Sequence, residues 1–388
     1  MVIAAHTRTR DVLGDAERKL TRVWIDGAIY GAQRVGGISR YFTEILEWLP
    51  RHAPELEILL QLPPGAGGTL PIGTHIRRIT SPGMRPARVF LGLENRLARQ
   101  RILARKPSLY HPTYYASPRD SHLPTVVTVY DFLHERFASM LGDREFSRKK
   151  RDIIEKAHRV VVISEATRDD VLRFTDCRPD RISIAYPAIS DVFSQPTVDG
   201  ARDRRAALGV TRPYLLFVGR RGQYKNFSLL LHALSIGGAR LDFDVVAVGG
   251  APALESWESD FVTRNRLEDR IHLVGELPDE SLRDLYVGAR GVVVPSLGEG
   301  FGIPLVEGMA AGTPIVVSDI PVFREIAGSA ALYFDPHDPA ALAEQLTALG
   351  DERRMASARA AGATRAAAFT WDAAARVYAD VYREVSDG

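Results

Sequence analysis

Residues 291–307 read GVVVPSLGEGFGIPLVE and contain two glutamates, Glu299 and Glu307, with seven residues between them. The first four residues form a short apolar run typical of a buried strand. Pro304 stands where the first turn of a helix tolerates proline, and Gly312 is a helix stop signal. The stretch therefore predicts a strand, a tight glycine-rich turn and a helix N-terminus in direct succession.

This predicted turn is suited to a ligand that carries both phosphate and hydroxyl groups. A helix N-terminus presents unpaired backbone N–H groups and a partial positive charge, which favour phosphate and hydroxyl oxygens. The two flanking carboxylates can accept hydrogen bonds from hydroxyl groups. A sugar nucleotide has both features. The simpler interpretation, acidic side chains that complement the helix dipole, does not require the glycines between Glu299 and Glu307.

Size and charge narrow the class of protein. The chain has 388 residues and a mass of 42.8 kDa, which favours two domains over one core. Its 50 basic and 48 acidic side chains argue against a nucleic-acid binder that works by bulk charge. The single cysteine, Cys177, excludes an internal disulfide and a thiolate metal cluster. With no run of 18 apolar residues and no signal-peptide core at residues 1–6, we expect a cytoplasmic protein without a membrane span.

Strand and helix signals alternate along both halves of the chain, which is typical of parallel sheets with right-handed crossovers. The predicted strands cover residues 22–26, 56–61, 75–79, 109–111, 125–130, 159–164, 182–186, 214–219, 245–249, 271–275, 291–295, 314–318 and 331–334. Several are continuous apolar runs, as expected for strands covered on both faces. The predicted fold is therefore α/β, with two Rossmann-like doubly wound domains that face a cleft at the carboxyl ends of their strands.

The predicted division of the chain has four segments. Residues 1–20 form a flexible extension, 21–195 the first domain, 196–370 the second domain, and 371–388 a C-terminal helix that packs back on the first domain. The linker is expected over residues 191–212, where apolar residues are scarce and Arg202, Arg204 and Arg205 cluster.

Two further loops carry chemistry. After the predicted strand 214–219, Arg220 and Lys225 stand where they can neutralise a diphosphate, although a solvated loop with ordinary charges is the simpler interpretation for this stretch alone. After the first predicted strand, the pair Gly36-Gly37 allows backbone to approach a ligand closely. A plain turn before a helix would look the same.

Together these motifs resemble the family-4 group of retaining glycosyltransferases, which have the two-domain GT-B fold. The resemblance runs from Arg22 to Tyr382 and is most specific in the second half. It rests on Glu299 and Glu307 with Gly-Phe-Gly-Ile-Pro between them, on Val218-Gly219-Arg220 with Lys225-Asn226, on Gly36–Tyr41, on Ile163-Ser164-Glu165, and on 314–318 with Arg324-Glu325.

The resemblance implies a role for each matched residue. Glu307 would bind the ribose hydroxyls of the nucleotide, and Glu299 would contact the donor sugar. Arg220 and Lys225 would stabilise the departing diphosphate. The donor-binding set comprises the amides of Gly300, Phe301 and Gly302, the phosphate-facing Gly36 and Gly37, and, around the nucleobase, Val274, Gly275 and Leu277.

One position departs from the family pattern. Many relatives carry His-Asp at the end of the strand that here ends in Tyr130-Asp131, and their histidine contacts the donor sugar or the phosphate. Tyrosine donates a hydrogen bond but is a poor base near neutral pH. Asp131 is retained as a catalytic candidate. His134 either substitutes for the missing histidine or is an ordinary surface residue.

Acceptor recognition is expected in the first domain, with Tyr114, Tyr115, Arg40 and Tyr41 as candidates against a background of ordinary aromatic packing. The arginine-rich stretch 88–106 is either a plain surface helix or a peripheral contact with an anionic membrane. No metal is required by any motif, since Asp242-Phe243-Asp244 precedes a strand and so stands at the wrong end of the sheet.

The expected activity is retaining transfer of a hexose, mannose from GDP-mannose above all, to a glycan or lipid-linked acceptor in surface polysaccharide synthesis. No cofactor is expected, because the donor substrate is itself a nucleotide sugar, GDP- or UDP-linked. Two alternatives stay open. One is a sugar-nucleotide epimerase of the same fold, and the other is a sugar-nucleotide-binding protein without catalysis.

Overall fold

The structure is a computed structural model that describes residues 20–33, 36–80, 96–116, 122–195 and 197–387. The predicted N-terminal extension lies outside the described residues except for Leu20. The same holds for residues 88–95 of the arginine-rich stretch.

All predicted strands form, with ends that differ from the prediction by no more than two residues. The described residues contain two open parallel sheets in the first half, in the orders β3-β2-β1-β4 and β5-β6-β7, and one in the second half, β10-β9-β8-β11-β12-β13. A parallel bridge between Tyr110 and Thr125 joins the first two sheets. The strands are β1 Thr21–Asp26, β2 Leu56–Leu62, β3 Ile76–Thr80, β4 Leu109–Pro112, β5 Val126–Val129, β6 Arg159–Val162, β7 Ile182–Ile184, β8 Tyr214–Val218, β9 Asp244–Val248, β10 Ile271–Val274, β11 Gly291–Val294, β12 Ile315–Ser318 and β13 Ala331–Phe334.

Helices connect the strands. The α-helices of the described residues are α1 Ile29–Ala32, α2 Gly37–Trp48, α3 96–103, α4 Leu133–Arg136, α5 Ala138–Leu141, α6 Arg144–Lys156, α7 Glu165–Phe174, α8 Val198–Ala207, α9 Phe227–Gly237, α10 Ser256–Arg264, α11 Asp279–Gly288, α12 Ile303–Ala310, α13 Pro321–Ala327, α14 Pro339–Ala348, α15 Glu352–Ala366 and α16 Trp371–Asp387.

The six-stranded sheet is covered on both faces because successive side chains of a strand point to opposite sides. Leu215 of β8 packs in one apolar cluster with Leu230 of α9. Its neighbour Leu216 belongs to another cluster, together with Leu305 of α12. This is the arrangement that the continuous apolar runs predict for strands of a doubly wound domain.

Part of the predicted linker is helical. Helix α8 covers residues 198–207 and packs against α11. Ala201 is buried, and the Arg204 guanidinium donates to the Ser281 hydroxyl over 2.6 Å. The sequence of this stretch is typical of a linker because it contains few large apolar residues, although the helix packs against α11.

The C-terminal helix α16 contacts α2 and the strands β1, β4, β5, β6 and β7 of the first half. Its Tyr382 hydroxyl lies 2.7 Å from the Nδ1 atom of His111 in β4, and its Tyr378 hydroxyl lies 2.7 Å from Thr128 in β5. Burial lowers the pKa of His111 to about 3, so this imidazole is neutral and structural. The chain thus crosses back to the first half at its end.

Candidate active site

The Glu299–Glu307 turn follows β11 and leads into α12. Gly302 precedes the helix with φ +99°, a left-handed conformation that glycine adopts without strain. A side chain there would also meet the Phe323 ring at 2.9 Å. Proline occupies the first turn of the helix as predicted, and the helix begins at Ile303, one residue earlier than expected.

Lys225 and Glu299 form an ion pair at this turn. The Lys225 Nζ atom donates to Glu299 Oε1 over 2.7 Å, and the Ser296 hydroxyl donates to the same oxygen over 2.7 Å. The two charged side chains are only 17% and 11% exposed. Burial lowers the pKa of Lys225, but Glu299, Tyr224 and Asp131 together outweigh burial and raise the pKa overall, so the ammonium stays charged. The structure thus brings together two of the predicted site residues.

The loop after β8 presents Arg220 to solvent and buries Arg221. Burial raises the pKa of Tyr224, and the nearby charges of Lys225 and Arg220 oppose that rise. Arg221 instead lies 3.3 Å from the buried Glu258 carboxylate and donates to two backbone carbonyls, those of Ala251 and Ala253. The charge of Arg220 therefore acts on Tyr224, as that of Lys225 does, whereas Arg221 stabilises the fold.

Glu307 is buried at the opposite end of the turn. It is 5% exposed, and the Tyr286 hydroxyl of α11 donates to its Oε2 atom over 2.8 Å. Burial raises the pKa of Glu307 to about 7, while the Tyr286 hydrogen bond and the Arg40 charge oppose the rise. The carboxyl group is therefore poised between its protonated and charged forms near neutral pH.

The first domain approaches Glu307 through α2. Arg40 in the first turn of α2 makes a two-pronged ion pair with Asp279, the first residue of α11, at 3.1 and 2.5 Å. Gly36 is the N-cap of this helix and Gly37 its first residue. A side chain added at Gly37 would meet open space. Space is therefore open at Gly37, whereas a side chain at Gly36 would lie 2.2 Å from Gln33 Oε1.

Asp131 and Gly300 meet across the two domains. A side chain added at Gly300 would lie 1.8 Å from the Tyr130 carbonyl oxygen and 3.3 Å from Asp131 Cβ. Asp131 accepts a hydrogen bond from the Leu133 amide over 3.1 Å, and its charge contributes to the raised pKa of Lys225. Burial raises the pKa of Asp131 itself. Asp131 therefore belongs to the same cluster as the Lys225 ion pair.

Tyr130 does not replace the family histidine in the cleft. Its hydroxyl donates to the Thr113 carbonyl over 2.9 Å, and the side chain is 6% exposed within the core. Burial raises its pKa well above the usual range, so the phenol does not titrate near neutral pH. His134 packs its ring against Phe146 with 4.7 Å between ring centres.

The residues expected near a nucleobase lie at the edge strand β10. Val274 ends this strand and its carbonyl accepts the Gly249 amide over 2.8 Å. Gly275 has open space around it, and Leu277 packs against the main core just before α11. This segment leads into Asp279, so it joins the same rim of the cleft as Arg40.

Several residues of the site carry no role in the sequence interpretation. Some bond directly to predicted site residues: Tyr286 to Glu307, Asp279 to Arg40, and Ser164 and Thr167 to Gly300. Glu325 instead bonds to α7, the helix that begins after Ser164. Only Ser164 and Glu325 stand in quoted motifs. The need of a buried carboxylate for a donor is the one signal that could have pointed to Tyr286.

Within the described part of the chain, no helix has the length and apolar character needed to cross a membrane. No group of three or more metal-ligating side chains is found among the same residues.

Two family models match this chain. The model "Glycosyltransferase Family 4" matches residues 35–193, and "Glycosyl transferases group 1" matches residues 201–365. The chain belongs to glycosyltransferase family 4. This glycosyltransferase is 28% identical to O-antigen chain mannosyltransferase B of Escherichia coli over 69% of its own length and 72% of the relative's. It is 29% identical to D-inositol 3-phosphate glycosyltransferase of Corynebacterium diphtheriae over 63% of this chain and 61% of that protein.

Solved structures establish the fold of this glycosyltransferase as GT-B. Sucrose-phosphate synthase of Thermosynechococcus elongatus superposes with a TM-score of 0.75 at 22% identity, covering 94% of this chain and 98% of that one. HepE of Anabaena, solved in complex with UDP-glucose, superposes with a TM-score of 0.69 at 17% identity over 94% and 98% of the two chains. The predicted pair of Rossmann-like domains is confirmed.

Proposed function

We propose that this glycosyltransferase moves a hexose, mannose from GDP-mannose above all, to a glycan or lipid-linked acceptor with retention of configuration. The observation that carries the proposal is a turn with the Lys225–Glu299 ion pair at one end and the buried Glu307 at the other. A cation and two carboxylates at one turn match the phosphate, the sugar hydroxyls and the ribose of a single donor molecule. The E. coli relative is a mannosyltransferase, which supports mannose as the sugar.

Donor binding would use both ends of the turn. Glu307 would accept the ribose hydroxyls, next to the Tyr286 hydroxyl that already orients it. Glu299, held by Lys225 and Ser296, would accept a hydroxyl of the sugar. The amides of Gly300, Phe301 and Gly302 would donate to the sugar or the phosphate. Val274, Gly275 and Leu277 would border the base.

Bond cleavage would place new negative charge on the departing diphosphate. As the bond between the anomeric carbon and the phosphate oxygen breaks, Lys225 and Arg220 would stabilise that charge. The Lys225 side chain is only 17% exposed, so its ammonium charge acts in a low-dielectric setting. Its attraction to the phosphate is therefore stronger than it would be in water. The acceptor hydroxyl would bond to the anomeric carbon from the same face and lose its proton to the departing phosphate oxygen.

The first domain would contribute the remaining contacts. Gly36 and Gly37 at the N-terminus of α2 would approach the phosphates. Asp131 would keep Lys225 charged, since its own charge contributes to the raised pKa of Lys225. The acceptor would bind on the first-domain side of the cleft. Peripheral membrane contact through the arginines of the stretch 88–106 stays a prediction. In α3, Ile102 is buried against the core, and Leu103 is 38% exposed.

The epimerase alternative gains no support, since both family models describe transferases. A binder without catalysis is separated from a transferase by donor hydrolysis in the absence of acceptor, which a pure binder does not perform.

Two measurements test the proposal. A thermal-shift panel of GDP, UDP and ADP identifies the base, because a ligand that binds only the native state raises the melting temperature. Transfer from the matching nucleotide sugar is then compared for wild type, Glu299→Ala and Glu307→Ala. Glu352→Ala is the control, because Glu352 pairs with Arg290 on the surface and lies in α15. Wild-type rates in both site variants would contradict the assignment of the site.

A further inference from the structure

The N-terminus of α7 in the first domain holds the Glu299–Glu307 turn of the second domain. The Ser164 hydroxyl donates to the Gly300 carbonyl over 2.7 Å, and the Thr167 hydroxyl lies 3.2 Å from the same oxygen. Ser164 is 0% exposed and Thr167 is 2% exposed. Two buried hydroxyls of one domain therefore converge on a single backbone oxygen of the other.

Glu325 of α13 also bonds to the N-terminus of α7. Its two carboxylate oxygens accept the amides of Glu165 and Ala166 over 2.7 and 2.9 Å, and Ser164 Oγ accepts the Thr167 amide over 3.0 Å. These are the first amides of α7, which have no partner inside the helix. An anion at this helix end is also favoured by the helix dipole. Capping of this first-domain helix is thus shared between its own Ser164 and Glu325 of the second domain.

The contact is tight at its centre. A side chain at Gly300 would lie 1.8 Å from the Tyr130 carbonyl, so backbone packs directly on backbone. The peptide between Gly300 and Phe301 is planar, and its C=O and N–H point in opposite directions. Fixing the Gly300 carbonyl therefore also fixes the Phe301 N–H, one of the amides to which the proposed function assigns the donor.

We propose that Ser164, Thr167 and Glu325 are positioning residues for sugar transfer that act through the Gly300–Phe301 peptide. The inference rests on the proposed function for the role of the turn. None of the three is required to touch the donor. In this proposal the Phe301 amide donates to the sugar, whereas nucleotide recognition is assigned to Glu307 and the segment 274–277. Loss of these contacts therefore affects the transfer step and leaves nucleoside diphosphate affinity unchanged.

The kinetic test uses Ser164→Ala and Thr167→Val, with Thr167→Ser as the conservative rescue. We expect kcat to fall about tenfold or more in the first two variants, because small losses of alignment are costly to catalysis. The Kd for the nucleoside diphosphate stays at the wild-type value, and Thr167→Ser restores kcat. Asp338→Ala is the matched control, since Asp338 caps α14 by accepting the amides of Ala340 and Ala341 and lies at an exposed site.

Hydrogen exchange of the peptide 297–303 tests the contact without substrate. We expect faster exchange in Ser164→Ala, Thr167→Val and Glu325→Ala, and wild-type exchange in Asp338→Ala. If wild type transfers sugar and the variants keep its kcat, the positioning role is overturned, whatever the exchange shows. If wild type transfers no sugar, the proposed function fails. Unchanged exchange in all three variants would separately overturn the contact itself.

Discussion

Glu307→Gln should stabilise the free enzyme at alkaline pH while it weakens donor binding. Burial of the Glu307 carboxyl raises its pKa from an ordinary 4.5 to about 7. A carboxyl whose pKa is raised on folding binds its proton more tightly in the native state, so stability is lost as pH rises from 4.5 through 7. Each tenfold change in proton affinity corresponds to about 1.4 kcal/mol. The charged Glu307 side chain therefore lowers the free energy of unfolding by about 3 kcal/mol at pH 8.

Urea unfolding of wild type and Glu307→Gln between pH 4.5 and pH 8 measures this cost. The difference between the two free energies of unfolding isolates Glu307, because every other titrating group is present in both proteins. We expect that difference to change by about 3 kcal/mol in favour of the variant as pH rises. Glu352→Gln is the control. The Arg290 hydrogen bond lowers the pKa of Glu352, so the difference for this control levels off once the unfolded chain is ionised, above about pH 5.5.

Donor binding should show the opposite trend. Only the charged carboxylate accepts hydrogen bonds from both ribose hydroxyls, so affinity follows the charged fraction of Glu307. With a pKa of about 7, that fraction, and hence the apparent affinity, rises about tenfold from pH 6 to pH 8. Titration calorimetry measures it, and the variant should have a flat profile. A stability difference that is constant across the pH range would refute the reasoning.

Four further variants test other contacts described above. Lys225→Met should lower kcat/KM for transfer about 100-fold in steady-state assays, because diphosphate departure loses its buried cation; a near-normal value would contradict that role. Gly300→Ala should lower the melting temperature and abolish transfer, because its Cβ would lie 1.8 Å from the Tyr130 carbonyl oxygen. Gly37→Ala places its Cβ in open space, so it should keep the melting temperature and raise the donor KM. Equal melting temperatures in the two variants would contradict this contrast. Glu258→Gln should cost about 3 kcal/mol in urea unfolding by leaving Arg221 buried and unpaired, and it should leave kcat at wild-type level where the protein is folded. A kcat loss there would assign this pair to the site.

Much of the local structure could be predicted because it depends on neighbours in sequence. Alternating strand and helix signals indicated the strands, several of them as continuous apolar runs, and Pro304 with the glycines before it indicated the helix after β11. The segment 198–207 was harder, since the polar bonds between α8 and α11 join residues about 80 positions apart along the chain.

The roles of Tyr130 and Tyr286 could not be predicted for a related reason. A tyrosine looks the same in sequence whether its hydroxyl points into a cleft or at a carbonyl in the core. The partner of Tyr130, Thr113, is 17 residues away, and Tyr286 reaches Glu307 from a neighbouring helix. The direction of a side chain depends on the residues that pack around it, and the order of residues in the sequence does not give it.

The amino-acid sequence by itself determined the fold class, the turn between two glutamates and the cations that follow β8, because strand periodicity, glycine and proline act over a few residues. Only the tertiary structure decided which domain each group faces. It paired Lys225 with Glu299, turned Arg221 into the core and set the Ser164 hydroxyl against Gly300. The physical reason is that desolvation and hydrogen-bond geometry depend on what packs around a group, and those neighbours come from distant parts of the chain.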